Sequence, residues 1–447
     1  MRFSELDGAR VGVWGAGREV RAFATQLAKR LPAARIEAAV FDVLPDVDVR
    51  AELSAPHARV VSAAQAPAAL ADCEVVVRSP GVSTHRPELV SLRAAGVRVT
   101  TATSLWLAEH GGGGVIGVSG TKGKSTTAAL ARELARAAGR SVRLAGNIGV
   151  PAIELLDGPA VEIVVLELSS YQIADLERGP QVALLTNLFR EHTDWHGSEQ
   201  AYRADKLRLL GLPGVAVAVL NMHSEQLVAA SRGAGVALAP YGLADGWDAT
   251  DRGIELRGEL ALSTAELPLP GAHNALNLCG ALTALEAAGV PAPPLGQALS
   301  GFRALPHRLE VVAERDGALW VDDSISTTPE STLAALASFP GRPIVLIGGG
   351  QDRGQDYNAL AHELARREAT LVGVPSTGPR LVAATRAAGV SAARAVEASG
   401  MESAVASARE LCVPGGVILL SPAAPSYDHY RDFEERGERF RALAQAG

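Results

Sequence analysis

Lysine is almost missing from this chain of 447 residues, which holds four lysines against 38 arginines. Cysteine is scarce too. Cys73, Cys279 and Cys412 stand far apart, with no disulfide or metal-ligand spacing, which fits a reducing cytoplasm. There is no basic run, and a formal net charge of −7 argues against a nucleic-acid binder. No apolar stretch reaches the roughly 18 residues of a spanning helix. The opening "MRFSELDGARVGVWG" lacks the charged-then-apolar pattern of a signal peptide. These absences predict a soluble cytoplasmic protein without membrane insertion. What is present is ordinary for a globular chain: 47% hydrophobic residues and a mean hydropathy of +0.13. The length exceeds one core and predicts two to four domains.

Arginine has replaced lysine wherever charge alone matters. The surviving lysines are therefore candidates for chemistry that guanidinium cannot do, such as fitting a compact charge between phosphates or reacting as a neutral amine. Lys29 has no such surroundings. Lys122 and Lys124 share the glycine-rich stretch "GVSGTKGKSTT", and Lys206 lies in "AYRADKLRLL", just past a His/Asp cluster.

Short β-branched runs alternate with Ala/Leu/Arg-rich stretches, which predicts parallel α/β architecture. The first segment opens with a strand, "ARVGVWG", then Gly15-Ala16-Gly17 and a helix. A later strand, "ARIEAAVFD", ends at Asp42. This is a Rossmann-like opening in which Val20 replaces the third glycine of G-x-G-x-x-G, so a nucleotide-like ligand fits better than NAD. A further strand ends at Ser79-Pro80-Gly81, a turn at the edge where ligands sit. "EHGGGG" at 109–114 reads as a linker. After it, "VIGVSG", "VEIVVLELSS" and "QVALLTN" read as buried strands. From about residue 305, "ALWVDD", "PIVLIGGG" and "GVILLSP" predict a second Rossmann-like unit.

Gly120, Thr121, Lys122, Gly123, Lys124, Ser125 and Thr126 lie between a strand and a helix. Glycines let backbone N–H groups approach phosphate, and the helix start adds favourable partial charge. Lys124 is expected on the β/γ-phosphates of ATP and the Ser125 hydroxyl on Mg2+. Val118 takes the place of the motif's first glycine. Glu167 ends a buried strand, where a lone acid is costly unless it is paired or binds metal. His192, Asp194 and His196 crowd the exit of the next strand. Without nearby cysteines they favour Mg2+ over softer metals, with His192 as the ligand and His196 either a ligand or a plain loop histidine. Lys206 could neutralise carboxylates, or could react with CO2 to give a carbamate that serves as an oxygen ligand.

Together these pieces resemble the Mur ligases, the ATP-dependent amino-acid-adding enzymes of peptidoglycan synthesis. The resemblance covers the whole chain through "GTKGKST", "GNIGVPA", "LELSSYQI", "NLFREHTDWHG", "YRADKLRL", "GAHNALN", "LPHRLE", "VDDSIST" and "LLSPAAPSYDHYRDF", in that order. The family also truncates the phosphate loop at its first glycine. The resemblance implies three α/β domains: a Rossmann-like UDP-binding domain over 1–107, a central P-loop ATPase-like domain over 108–304, and a C-terminal Rossmann-like domain over 305–447. It places Gly15, Asp42, Ser79 and Gly81 on the UDP group, and Asn147, Ser169 and Gln172 on the muramoyl-alanine. Asn277, Arg308 and Asp323 match contacts to the adenine nucleotide. Ser125, Glu167, His192 and a carbamylated Lys206 match the Mg2+ site. Ser426 and Phe433 match residues that hold the incoming glutamate.

Two departures bear on which amino acid is added. Where the D-glutamate-adding ligases have lysine after "DS", this chain has Ile325, and Arg353 stands for a second glutamate-binding lysine. "WGAGRE", "TDWHGS" and "DSISTTPE" are more similar to a sister group that adds L-glutamate to UDP-N-acetylmuramoyl-L-alanine. In that group an epimerase acts on the product. Thr327, Thr328 and Ser426 can supply neutral donors to the glutamate. The alternatives are the D-glutamate ligase, a folate-type polyglutamate ligase, an NAD dehydrogenase, and a P-loop regulatory protein that releases no ADP.

Overall fold

The computed structural model describes residues 1–446, apart from 46–47, 190, 192, 234, 270 and 304, and apart from the side chains of 193, 194 and 231. The chain forms two compact units. One comprises Met1–Glu266 with Ala275–Ser300, the other Leu267–Asn274 with Gly301–Gly447.

The first unit holds two parallel sheets. The N-terminal sheet has five strands in the order Arg59–Ser62, Arg35–Phe41, Arg10–Trp14, Val75–Arg78 and Arg98–Thr100. Every pairing is parallel, as Val/Ile/Ala runs buried on both faces require. The order reverses direction at Arg10–Trp14 and Val75–Arg78, so a crevice opens at their carboxyl ends. The central sheet has six parallel strands: Ala237–Tyr241, Val217–Asn221, Val182–Leu185, Val115–Ser119, Ile163–Glu167 and Val142–Gly146. Phe23 and Val20 of the helix Arg18–Arg30 share one apolar cluster with Ile153 and Leu166 of the central sheet region. The two sheets therefore rest on a continuous core. A small antiparallel sheet of Trp247–Thr250, Gly253–Leu256 and Glu259–Ser263 completes this unit.

The glycines of "EHGGGG" are an ordered turn rather than a spacer. Gly111, at φ 83°, caps the helix Ala102–His110. A Cβ on Gly114 would lie 2.5 Å from the Glu162 carbonyl oxygen.

The second unit carries a six-stranded sheet in the order Glu310–Arg315, Ala318–Asp322, Val417–Leu420, Ile344–Gly348, Thr370–Gly373 and Ala395–Glu397. The edge strand Glu310–Arg315 is antiparallel and the rest are parallel. Among the described residues, no helix is long and apolar enough to cross a membrane.

Candidate active site

The central sheet delivers its chemistry at the carboxyl ends of its strands. Val115–Ser119 runs into Gly120-Thr121-Lys122-Gly123, and the helix Lys124–Ala137 begins directly after. Gly120 sits at φ 137° and Gly123 at φ 84°. A Cβ on Gly120 would meet the Thr186 hydroxyl oxygen at 2.0 Å, and one on Gly123 the Asn277 Oδ1 at 2.4 Å. Only glycine fits at either position. Neighbouring strand ends hold the loop in shape. Thr121 N donates to Asn187 O (3.0 Å), Lys122 N to Asn187 Oδ1 (2.8 Å), and Thr121 Oγ1 shares a hydrogen bond with the Tyr202 hydroxyl (2.7 Å). Lys124 Nζ donates to Thr121 O at 2.7 Å. Lys122 Nζ lies 2.6 Å from Glu191 Oε1. Ser125 is buried on the helix's first turn, followed by Thr126.

Glu167 is fully buried and pairs in register with Val118, beside the entrance to this loop. Its Oε1 accepts from Asn147 Nδ2 at 3.1 Å. Its Oε2 is buried and has no hydrogen-bond partner among the described residues. A carboxylate oxygen left bare in a protein interior is costly unless a ligand or cation completes it. Glu167 and the Ser125 hydroxyl both offer oxygen, the donor that Mg2+ prefers. Lys206 is also buried, at the end of the helix Glu199–Leu207. Its Nζ donates to Gly120 O at 2.7 Å. Burial, and then the charge of Lys124, push its pKa well below that of a free lysine, against the pull of Glu191 and Glu167. The structure therefore brings Lys124, Glu167 and Lys206 around one phosphate loop. His192 and the Asp194 side chain lie outside the described residues.

His196 is held by both ring nitrogens, with Nδ1 2.7 Å from Asp205 Oδ2 and Nε2 3.0 Å from Ser170 Oγ. Trp195, Tyr171 and Tyr202 surround its ring. The histidine is thus built into a packed network.

At the N-terminal sheet, Gly15 has φ 79° and donates to Val40 O (2.8 Å). Ser79 packs against this turn, since a Cβ on Gly17 would lie 2.7 Å from its hydroxyl. Asp42 accepts from Arg86 Nη1 (2.7 Å) and Trp14 Nε1 (3.4 Å). Gly15, Asp42, Ser79 and Gly81 therefore collect at adjoining strand ends. Gly81 and Pro80 carbonyls accept from Trp195 Nε1 (3.1 and 3.2 Å), so the Ser79–Gly81 turn is tied to the central domain. Arg78, fully buried, reinforces the tie. It pairs with Asp175 and donates to Pro80, Val82 and Tyr171 carbonyls. Ser169 and Gln172 form a capping box on the short helix Ser170–Ile173, three residues after Glu167. Asn147 occupies the loop that follows Val142–Gly146, and Asn277 lies buried in the helix Ala272–Ala287, against Gly123.

In the second unit, Arg308 stands between two non-glycine residues with left-handed backbone, His307 at φ 61° and Leu309 at φ 49°. His307 Nδ1 is 2.7 Å from Asp322 Oδ2. Asp323 is buried. Its carboxylate accepts from Ser326 Oγ (2.6 Å), Ser421 Oγ (2.8 Å) and Leu309 N (3.3 Å). Burial raises its pKa to about 6, against the pull of those donors. Ser426 is buried, Thr327 and Phe433 are half-buried, and Arg353 is exposed, its guanidinium 5.9 Å from the centre of the Tyr427 ring. Arg436 escaped the sequence reading. Fully buried, it donates to Ser324 Oγ (3.0 Å), Ser324 O (2.7 Å) and Ala424 O (3.1 Å), and so ties the "DDS" turn to the loop carrying Ser426. Arg78, Glu191 and Trp195 were also missed. Each acts through partners distant in sequence.

The sequence matches the Mur ligase middle domain over residues 118–285 and the Mur ligase glutamate ligase domain over 307–424. The UDP-N-acetylmuramoyl-L-alanine–L-glutamate ligase of Micromonospora sp. is 45% identical over 451 residues, 98% of this chain and 97% of that one. The enzyme of the same name from Xylella fastidiosa strain Temecula1 is 42% identical over 468 residues, 99% and 97% of the two chains. The chain belongs to the Mur ligase family. Solved members of the family's fold agree. The MurF ligase of Thermotoga maritima, in complex with ADP, superposes with a TM-score of 0.61 at 17% identity, covering 100% of this chain and 96% of that one. The UDP-N-acetylmuramate–alanine ligase MurC of the same organism gives 0.59 at 18% identity, covering 98% and 99%. The three-domain α/β architecture of the Mur ligases is thus the architecture of this chain.

Proposed function

We propose that this chain joins L-glutamate to the alanine carboxylate of UDP-N-acetylmuramoyl-L-alanine, consuming ATP and releasing ADP and phosphate, in the synthesis of peptidoglycan precursors. The observation that carries this reading is 45% identity across 98% of the chain to a ligase of that name. ATP and Mg2+ serve as cosubstrate and metal, as in the family. The proposed domains run over 1–107, 108–304 and 305–447.

In this reading Gly15, Asp42, Ser79 and Gly81 hold the UDP group, and Asn147, Ser169 and Gln172 the muramoyl-alanine. The backbone of Gly120–Gly123, with Lys124 and Thr126, holds the ATP phosphates. Asn277, Arg308 and Asp323 complete the nucleotide site. Ser125, Glu167 and His192 would hold Mg2+, together with Lys206 as its carbamate. That assignment would use the bare Glu167 Oε2. When bound, the metal neutralises phosphate charge. Lys206 suits carbamate chemistry because its amine is desolvated and its Nζ donates to a neutral carbonyl, Gly120 O.

A carboxylate is a poor electrophile because it has no leaving group. Transfer of the ATP γ-phosphoryl group to the alanine carboxylate oxygen gives an acyl phosphate and ADP. The glutamate amine then attacks the acyl carbon, the C–N bond forms, inorganic phosphate leaves, and the amine loses a proton. Lys124 and Arg308 contribute by positioning and charge neutralisation, which is most of what phosphoryl transfer asks of a protein. Thr327, Arg353, Ser426 and Phe433 hold the glutamate. Its handedness follows from where those groups stand, since both enantiomers carry the same charges. An epimerase acting on the terminal L-glutamate is the expected next partner.

The test is ADP release with UDP-N-acetylmuramoyl-L-alanine and each glutamate enantiomer at equal concentration, with chiral analysis of the product. L-Glutamate should be preferred by at least about 100-fold in kcat/KM, the effect of one misplaced charged hydrogen bond. A preference for D-glutamate would overturn the reading and make Ile325 and Arg353 neutral variation.

A further inference from the structure

Arg18 and Glu19 follow the Gly15–Gly17 turn and begin the helix Arg18–Arg30. A cation in a helix's first turn opposes the helix dipole, so Arg18 does not serve its own helix. Its side chain crosses to the central domain. Nη1 donates to Gly149 O at 2.9 Å, and Nη2 donates to Gly146 O at 2.8 Å and Asn147 O at 2.9 Å. Three carbonyls of one loop thus converge on one planar guanidinium, a geometry that lysine's point charge reproduces poorly. That loop carries Asn147, whose backbone N–H donates to Glu167 O (3.0 Å) and whose side chain donates to Glu167 Oε1 (3.1 Å).

Glu19 reaches the other flank of Glu167. It is buried and accepts from Thr103 Oγ1 (3.1 Å) and from Gln172 Nε2. Gln172 Oε1 in turn accepts from Ser169 N and Ser169 Oγ (2.8 and 2.9 Å). Ser169 lies two residues beyond Glu167. Two adjacent residues of the N-terminal domain therefore grip both the loop that hydrogen-bonds the Glu167 carboxylate and the turn that follows it in sequence.

We propose that Arg18 and Glu19 are positioning residues that set the Glu167 carboxylate from the ligand-binding turn of the N-terminal domain, and so couple that turn to the metal site. The proposal rests on Glu167 as a Mg2+ ligand. Arg18 acts through the 146–149 backbone and Asn147, and Glu19 through the Gln172–Ser169 cap. Residues that orient a metal ligand in this way typically change metal affinity by about 10–100-fold when removed.

The test uses the full chain with three substitutions: Arg18→Ala, Arg18→Lys and Glu167→Ala. Mn2+ binding in the presence of ADP is followed by electron paramagnetic resonance, UDP binding by calorimetry, and kcat and KM by ADP release. Because Arg18 is exposed, its variants should melt within a few degrees of the parent. Arg18→Ala should weaken Mn2+ binding about tenfold and lower kcat by a similar factor, with UDP affinity within about twofold of the parent. Arg18→Lys should recover part of both losses. Unchanged Mn2+ affinity in Arg18→Ala would overturn the proposal. So would a loss confined to UDP binding, which would make Arg18 a nucleotide ligand. If Glu167→Ala itself leaves Mn2+ binding intact, the metal reading fails first, and the positioning role falls with it.

Discussion

At the scale of single residues, Asp323 shows a buried charge set against stability. Its carboxyl titrates at about 6, above the ordinary 3.8, because burial outweighs the hydroxyl and amide donors around it. A folded-state pKa raised above the unfolded value contributes stability that is fully present below about pH 4 and is lost as pH rises through 6. At neutral pH the ionised group therefore weighs against folding. Asp323→Asn removes the ionisation, so the variant should gain stability relative to the parent between pH 4 and pH 7. The gain should be up to about 3 kcal/mol at pH 7.5 and near zero at pH 4, read from urea unfolding at both pH values. Nucleotide affinity should fall in the same variant. Stability that is equal at both pH values would mean that Asp323 is well compensated when charged. Lys124, Glu167 and Lys206 were legible as single letters because each is anomalous where it stands: rare lysines, and an acid closing an apolar run. Arg18, Glu19, Arg78 and Arg436 were illegible. Three of the four are arginines in a chain that has 38, and all four hold partners remote in sequence, from 84 residues away, as Thr103 is from Glu19, to 153 away, as Gln172 is from Glu19.

Among the elements, the helix Glu199–Leu207 does for Lys206 what its sequence announces. Ser198 caps its start by accepting from Ala201 N (3.1 Å), and Tyr202 and Lys206, four apart, share its buried face. Tyr202 meets Thr121, and Lys206 meets Gly120, so one helix face reads the phosphate loop at two points. Arginine at 206 would keep the charge but could not become a carbamate, because guanidinium stays protonated. It would also have to fit a bulkier head beside Gly120. Lys206→Arg should lose at least about 10³-fold in kcat, the order expected when a transition-state contact is removed. Bicarbonate should not restore it, and the melting temperature should remain close to the parent's. Retained activity would favour a plain electrostatic lysine. The parallel strands were legible from their continuous apolar runs, and their carboxyl ends fell where expected. The small sheet over Trp247–Ser263 was not foreseen. Its strands are four or five residues long and partly exposed, too short to show a period in the sequence. The glycines at 111–114 suggested a spacer because the left-handed conformations of Gly111, Gly112 and Gly114, and the close carbonyl contacts at Gly112 and Gly114, are invisible in composition.

For the molecule as a whole, the division of labour follows the two compact units. The phosphate loop, Glu167, Lys206 and the residues proposed for the UDP-linked substrate belong to Met1–Glu266 with Ala275–Ser300. Thr327, Arg353, Ser426 and Phe433 belong to Gly301–Gly447. Arg308 and Asp323, proposed for the nucleotide, belong to that second unit as well, so only the residues proposed for glutamate can be probed apart from carboxylate activation. Arg353 is the sharpest probe. It is exposed, it faces an aromatic ring, and among the described residues no carboxylate pairs with it. A guanidinium in that state can take a substrate carboxylate through two parallel hydrogen bonds. Ile325, half-buried with its backbone N–H on His307 O (3.3 Å), leaves an apolar surface where the D-glutamate ligases carry a second cation. On the proposed reading, discrimination rests on Arg353 more heavily than on any lysine. Arg353→Ala should raise the KM for L-glutamate about 100-fold, equivalent to a lost charge-assisted pair. It should leave ADP and UDP affinities unchanged and narrow the gap between the enantiomers. Steady-state kinetics with each enantiomer, beside calorimetry with ADP and UDP, separates the cases. A parallel loss of nucleotide affinity would place Arg353 in the ATP site instead. Unchanged glutamate kinetics would move the carboxylate to the neutral donors Thr327, Thr328 and Ser426.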